Sequence, residues 1–183
     1  MRALIITDVQ NDFCEGGSLE VNRCAEVASG ISELLSGDHK YAHVVATKDF
    51  HIDPGDHFSE NPDFVNSWPP HCVVGTPGAD FHPHLEPAAV EAVFTKGEYS
   101  AAYSGFEGTD DDGTSLADWL RQRGVDEVDV VGIATDYCVK ATAADAVANG
   151  FRTRVLRDLI AGVAPESSEK ALDELRAAGV QIA

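Results

Sequence analysis

Short apolar, β-branched runs alternate along the chain with segments of helical periodicity. Leu4 to Thr7 predicts a buried strand ending at Asp8, and a Gly-rich turn (Glu15-Gly16-Gly17-Ser18) separates it from a helical stretch over about Cys24 to Leu35. His43 to Thr47 predicts a second strand, Ala92 to Thr95 a third ending at Lys96, and Glu127 to Ile133 a fourth. Helical patterns follow at about Ser115 to Arg123 and at 136 to 149, the latter stopped by Asn149-Gly150. Thr153 to Leu156, a helix from Pro165 to Ala178 and a last strand at Val180 to Ile182 complete the pattern. Strands alternating with helices predict an α/β fold. The expected architecture is one three-layer α/β/α domain over 1–183, built on a six-stranded parallel sheet with right-handed crossovers.

One stretch departs from this rhythm. Residues 49 to 89 hold most of the prolines and five of the seven histidines without sustained periodicity. A long irregular excursion in a compact domain is functional or disordered, and Phe50, Phe58, Phe64, Trp68 and Phe81 argue for order.

Composition narrows the possible partners. The 183 residues carry 31 Asp plus Glu against 13 Lys plus Arg, a net charge of -18. That balance argues against nucleic acid, whose phosphates need cationic neutralisation, and against an anionic membrane surface. No apolar run approaches the ~20 residues of a spanning helix. The N-terminus leads into a strand pattern, not a signal peptide, so a cytoplasmic location is expected. Four irregularly spaced cysteines imply no disulfide framework.

In a parallel sheet, sites form beyond the carboxyl ends of the strands. Here four consecutive strands end at, or run into, Asp8, Asp49, Lys96 and Cys138. Cys138 opens a helix, where free N–H groups and the helix dipole favour a thiolate, and Lys96 would lower its pKa further. Asp8 suits the role of proton acceptor and later donor, with backbone N–H groups around Ala134 and Cys138 facing a developing oxyanion. Taken alone, Cys138 would read as a small packing residue.

Asp49, His51, His57 and His71 form a second constellation. Asp49 and His51 project to one side of an extended segment, Pro54-Gly55 turns His57 back, and Trp68-Pro69-Pro70 carries His71. One carboxylate and three imidazoles suit a single divalent transition metal (iron, manganese or zinc); the competing interpretation is a solvated His-rich loop. Phe13, Trp68 and Tyr103 adjoin these segments and could enclose a flat ring or simply serve as core aromatics. His39, His43, His82 and His84 read as surface or packing residues, Cys14, Cys24 and Cys72 as structural thiols, and Asp110-Asp111-Asp112 as a solvated loop. Two rival chemistries fit parts of the pattern. An iron oxygenase leaves Cys138 unused, and a phospho-aspartate receiver leaves the histidines unexplained.

The stretches Ala3 to Phe13, Thr47 to His51 and Gly132 to Val139 resemble the nicotinamidase/pyrazinamidase family of isochorismatase-like cysteine hydrolases. The resemblance covers nearly the whole chain and is strongest to the mycobacterial-type members, through Trp68 to Pro83 and Tyr103 to Gly108. It implies a catalytic triad of Asp8, Lys96 and Cys138, and metal ligation by Asp49, His51, His57 and His71. It also implies a cis peptide before Ala134 and an oxyanion hole from the Ala134 and Cys138 amides. Substrate contacts fall on Phe13, Trp68 and Tyr103, with Ile133 alongside. Tyr137 stands where the mycobacterial-type pattern has His, which bears on pocket polarity but not on the triad. The implied activity is hydrolysis of nicotinamide to nicotinate and ammonia, and of pyrazinamide to pyrazinoate, in NAD salvage. The expected partners are these small molecules, with no nucleic acid or membrane and a monomer or small homo-oligomer. The alternative is another isochorismatase-like amidase acting on a carbamoyl or ureido substrate.

Overall fold

The computed structural model describes residues 1–183. The strands are β1 (Arg2–Thr7), β2 (His43–Asp49), β3 (Ala92–Lys96), β4 (Glu127–Ile133), β5 (Arg152–Ala161) and β6 (Gln181–Ile182). The helices are α1 (Cys24–Ser36), α2 (Leu116–Gln122), α3 (Lys140–Ala148) and α4 (Pro165–Ala177). All strands are parallel, in the order β3-β2-β1-β4-β5-β6. The order in which strands are added therefore reverses between β1 and β4, and an open sheet places its ligand crevice at such a switch point.

Successive strand residues face opposite layers, which explains why the strands read as continuous apolar runs. Ala3, Ile5 and Val130 pack under α2, α3 and α4 through Leu120, Ala143 and Leu172. Leu4, Ile6 and Val131 face the other way, against Val27, Ala28 and Ile31 of α1 and the loop residues Phe13 and Leu85. The six-stranded α/β sheet with helices on both faces is as expected.

Several boundaries differ. The helix expected over 136–149 starts with a π-helical turn, Thr135–Val139, and becomes α-helical only at Lys140. β5 runs to Ala161, not Leu156, because Ile160 and Ala161 pair with Gly132 and Ile133 after a register shift on β4. The polar pair Arg157-Asp158 interrupts the apolar run and hides that continuation in the sequence. Cys14 and Cys24, expected as separate structural thiols, form a disulfide with Cα atoms 4.8 Å apart. The turn after β1 brings the two together at the start of α1, a proximity that ten-residue spacing does not reveal.

The irregular excursion is ordered by pairing with its surroundings. His51 bridges to Val73, Phe58 to Trp68, and Gln10 to Phe81, with 3-10 turns at Gly55–His57, Pro77–Ala79 and Pro87–Ala89. Toward the amino ends of the strands, the fully buried Asp129 carboxylate accepts from Arg154 at 2.7 and 2.5 Å and from the Tyr41 hydroxyl at 2.7 Å. No helix is long and apolar enough to cross a membrane.

Gly132 faces Thr7 in the β1–β4 register at φ +111°, and a Cβ there would lie 2.2 Å from the Thr7 carbonyl oxygen. That contact is backbone against backbone and cannot relax cheaply. Gly132→Ala is expected to destabilise the fold by about 3 kcal/mol, lowering the thermal unfolding midpoint by roughly 10 °C. Calorimetry would check this; an unchanged midpoint would contradict the close approach.

Candidate active site

The carboxyl ends of β1, β2 and β3 bring Asp8, Asp49 and Lys96 into one solvent-free cluster. Asp8 follows β1 with φ 47°, a left-handed conformation uncommon outside glycine. Its amide donates to the Thr47 carbonyl at 3.2 Å, and its carboxylate accepts from the Thr47 hydroxyl at 2.7 Å. The Lys96 ammonium donates to Asp8 Oδ2 at 2.8 Å and Asp49 Oδ1 at 2.5 Å, and lies 3.9 Å from Cys138 Sγ.

These charges set the protonation states. Burial opposes the charge on Lys96, but Asp49 and Asp8 outweigh it and hold its pKa well above the ordinary value. Burial likewise works to raise the Asp49 carboxyl, yet Lys96 and His51 keep it well below the usual range. Asp8 is raised, chiefly by burial and further by Asp49, against the pull of Lys96. Cys138 is also pushed well above 9, by burial first and then by Asp8 and Asp49, with Lys96 opposing. The helix start and the lysine favour a thiolate, and burial and the two carboxylates oppose it. One ammonium faces two carboxylates, and the surplus negative charge works with burial against ionisation of the sulfur.

Beside this cluster, His51, His57 and His71 bring one ring nitrogen each within 4.8 Å of one another. The Nδ1 atoms of His51 and His71 lie 2.6 Å from the Gly97 carbonyl and 2.8 Å from that of Pro69. Donation there leaves each Nε2 with a lone pair, as metal ligation requires. His51 Nε2 and His57 Nδ1 are buried without hydrogen-bond partners. Burial, with His71 and His51 alongside, holds His57 down at about 4 and so neutral. Asp49 turns its second oxygen toward the cluster, 3.4 Å from His51 Nε2 and 3.8 Å from His71 Nε2. Orphaned imidazole nitrogens beside a carboxylate fit a borderline divalent cation.

An apolar pocket opens above both groups. Its lining includes Phe13, Trp68, Tyr103, Ile133, Ala134, Tyr137 and Cys138, together with Asp49, His57 and His71. The Trp68 indole N–H donates to the Tyr103 hydroxyl at 3.3 Å, and the Tyr137 ring meets Trp68 edge-on at 5.1 Å. The Ile133–Ala134 peptide is cis, as the resemblance implies. His39, His43, His82 and His84 all lie away from the pocket. Aliphatic lining residues that sequence reading missed are Leu19, Val21, Ala102 and Val163. Gln10 was missed too. Its amide accepts from the Asp49 N–H at 2.9 Å and donates to the carbonyls of Asp49 and Ala79 at 2.9 and 2.8 Å. A buried polar residue just past a strand end was its only signal.

The family model for the isochorismatase domain matches residues 2–183. The chain belongs to the isochorismatase family. It is similar to the nicotinamidase/pyrazinamidase of Mycobacterium tuberculosis, with 67% identity over 182 residues covering 100% of this chain and 98% of the relative. Among solved structures it resembles the pyrazinamidase of Pyrococcus horikoshii in complex with zinc. That match has a TM-score of 0.83 and 40% identity, covering 100% and 98% of the two chains. It also resembles PnC1 of L. infantum in complex with nicotinate, with a TM-score of 0.87 and 37% identity over 100% and 92%. This isochorismatase-family fold thus has its switch point at the β1–β4 boundary, where Asp8 and the Cys138 turn meet.

Two thiols are free in this family member, and only Cys138 lines the pocket; Cys72 is fully buried. Because the thiolate is the nucleophile and the Cys138 pKa is raised, its fraction grows about tenfold per pH unit below that pKa. In metal-free protein, iodoacetamide is expected to modify Cys138 and spare Cys72, at a rate climbing with pH and not levelling below pH 9. Peptide mass spectrometry would check this, and a plateau near neutrality would contradict the charge balance.

Proposed function

We propose that this chain is a nicotinamidase: a cysteine amidase that hydrolyses nicotinamide to nicotinate and ammonia, and pyrazinamide to pyrazinoate, in cytoplasmic NAD salvage. One observation carries the reading. Cys138, Lys96 and Asp8 meet beneath an aromatic pocket lined also by His57 and His71, two members of a cluster of three imidazoles. A narrow aromatic slot suits a flat heteroaromatic amide better than a carbamoyl or ureido group. The activities and ligands in the names of the similar proteins agree with it.

In this reading the ring enters between Phe13 and Trp68, with Tyr103, Ile133 and Tyr137 closing the slot. The Cys138 thiol gives its proton to Asp8, whose raised pKa makes it a competent acceptor, as sulfur bonds to the amide carbon. The carbonyl π pair moves onto oxygen, where the Ala134 and Cys138 amides donate to it. Collapse expels ammonia with the Asp8 proton and leaves a thioester. Asp8 then takes a proton from water as the water oxygen attacks; collapse expels sulfur, which takes that proton back from Asp8, and the product loses its carboxyl proton to solvent and leaves as nicotinate. Lys96 stays protonated throughout and holds both carboxylates in place. Asp49, His51, His57 and His71 would hold one divalent iron, manganese or zinc ion, which supplies a coordination position that orients the ring nitrogen.

Ammonia release from nicotinamide and from pyrazinamide tests the function directly. Cys138→Ala is expected to lower it by roughly 10⁴-fold or more. A chelator should suppress it, with recovery on adding one of the three metals. Substantial turnover by Cys138→Ala would overturn the mechanism.

A further inference from the structure

The π-helical turn that carries Cys138 is tied to a distant part of the chain by a residue that does not face the pocket. The Asp136 carboxylate accepts from the Val163 N–H at 3.0 Å, the Ala164 N–H at 3.2 Å and the Ser167 hydroxyl at 2.6 Å. Ala164 is the N-cap of α4 and has no side-chain oxygen to close that helix. The amide of the N-cap residue of this 13-residue helix is therefore satisfied by a residue 28 positions earlier in the chain. The carboxylate also suits the positive end of the helix dipole.

The packing leaves little slack. A Cβ on Gly162 would sit 1.8 Å from Ser168 Oγ and 3.2 Å from Asp136 Oδ1. Within the turn itself, the Tyr137 and Val139 amides donate to the Ala134 carbonyl at 3.1 and 3.0 Å. Ala134, Cys138 and Val163 all line the pocket, so one carboxylate joins the nucleophile's turn to another segment of the lining.

We propose that Asp136 is a positioning residue: through its bonds to the 163–164 backbone and Ser167 it fixes Cys138 and Val163 relative to one another. It touches neither substrate nor the reacting atoms. The kinetic part of the inference rests on the amidase reading above, whereas the alkylation rate of Cys138 does not.

A capping role and a positioning role separate in a double variant. Serine at position 164 can cap α4 locally without restoring the link to the nucleophile turn. Asp136→Ala is expected to lower kcat by about 10- to 100-fold, since small misplacements of a reacting group are costly, with a smaller rise in KM. Cys138 alkylation by iodoacetamide should accelerate at least threefold as the turn loosens. Asp136→Ala/Ala164→Ser should regain the stability lost in Asp136→Ala but keep the slow kcat and fast alkylation, while Ala164→Ser alone keeps wild-type kcat and alkylation with an unfolding midpoint at or above wild type. Asp136→Asn, which keeps one acceptor oxygen, should fall between and serves if the alanine variant does not fold. Recovery of wild-type kcat and alkylation in the double variant would reduce Asp136 to a helix cap and overturn the proposal. A wild-type protein inactive on nicotinamide would refute the amidase reading, and the alkylation rates would still decide the tether.

Discussion

The Lys96 ammonium lies between two carboxylates, with all three side chains withdrawn from water. Bringing such charges out of solvent is costly, and only close mutual contact offsets the loss of hydration. The sheet order supplies that contact. β3, β2 and β1 are consecutive neighbours, Asp49 and Lys96 are register partners, and Asp8 follows the Thr7–Thr47 pair. One cation thus fastens three strand ends at the level where chemistry takes place. Take it away and two carboxylates face each other in a dry site, which neither the strand ends nor the nucleophile could tolerate unchanged.

What surrounds the cluster keeps it in place. Gln10 grips the Asp49 backbone from both sides, and the Thr47 hydroxyl fixes one oxygen of Asp8. The irregular segment between β2 and β3 has little regular structure, so bridges to itself and to the β1 turn carry its shape. Through them His51, His57 and His71 converge although they span twenty residues of chain. Apolar walls then exclude water from a reacting amide, which strengthens each electrostatic contact within.

Much of this was legible in the chain. Apolar runs ending in Asp8, Asp49 and Lys96 marked both the strands and the site, because a parallel sheet buries its strands on both faces and presents its carboxyl ends together. What stayed hidden depended on distance in space. The Cys14–Cys24 disulfide, the continuation of β5 past Arg157-Asp158 and the bonds from Asp136 to the start of α4 each join segments that local periodicity does not connect. Leu19, Val21 and Val163 escaped notice because an aliphatic side chain looks the same lining a pocket as filling a core. The helix start and Lys96 were readable as influences on Cys138, whereas the opposing effects of burial, Asp8 and Asp49 depend on how the strand ends pack.

Asp129 offers a contrast at the other end of β4. Its carboxylate is as deeply buried as Asp8, yet a bidentate guanidinium and a phenol hydroxyl meet both of its oxygens. A second guanidinium, that of Arg2, lies 3.8 Å from one of those oxygens, so a single carboxylate there is surrounded by cationic and hydroxyl donors. The Lys96 group is built from similar parts but with an odd number of them, two carboxylates and a thiol around a single ammonium. Valence left open in this way distinguishes a reactive polar cluster from an inert one. The Asp129 group lies toward the amino end of β4, and the turn that carries Cys138 follows the carboxyl end of the same strand, so one anchors the sheet at one end while the other does chemistry at the opposite end.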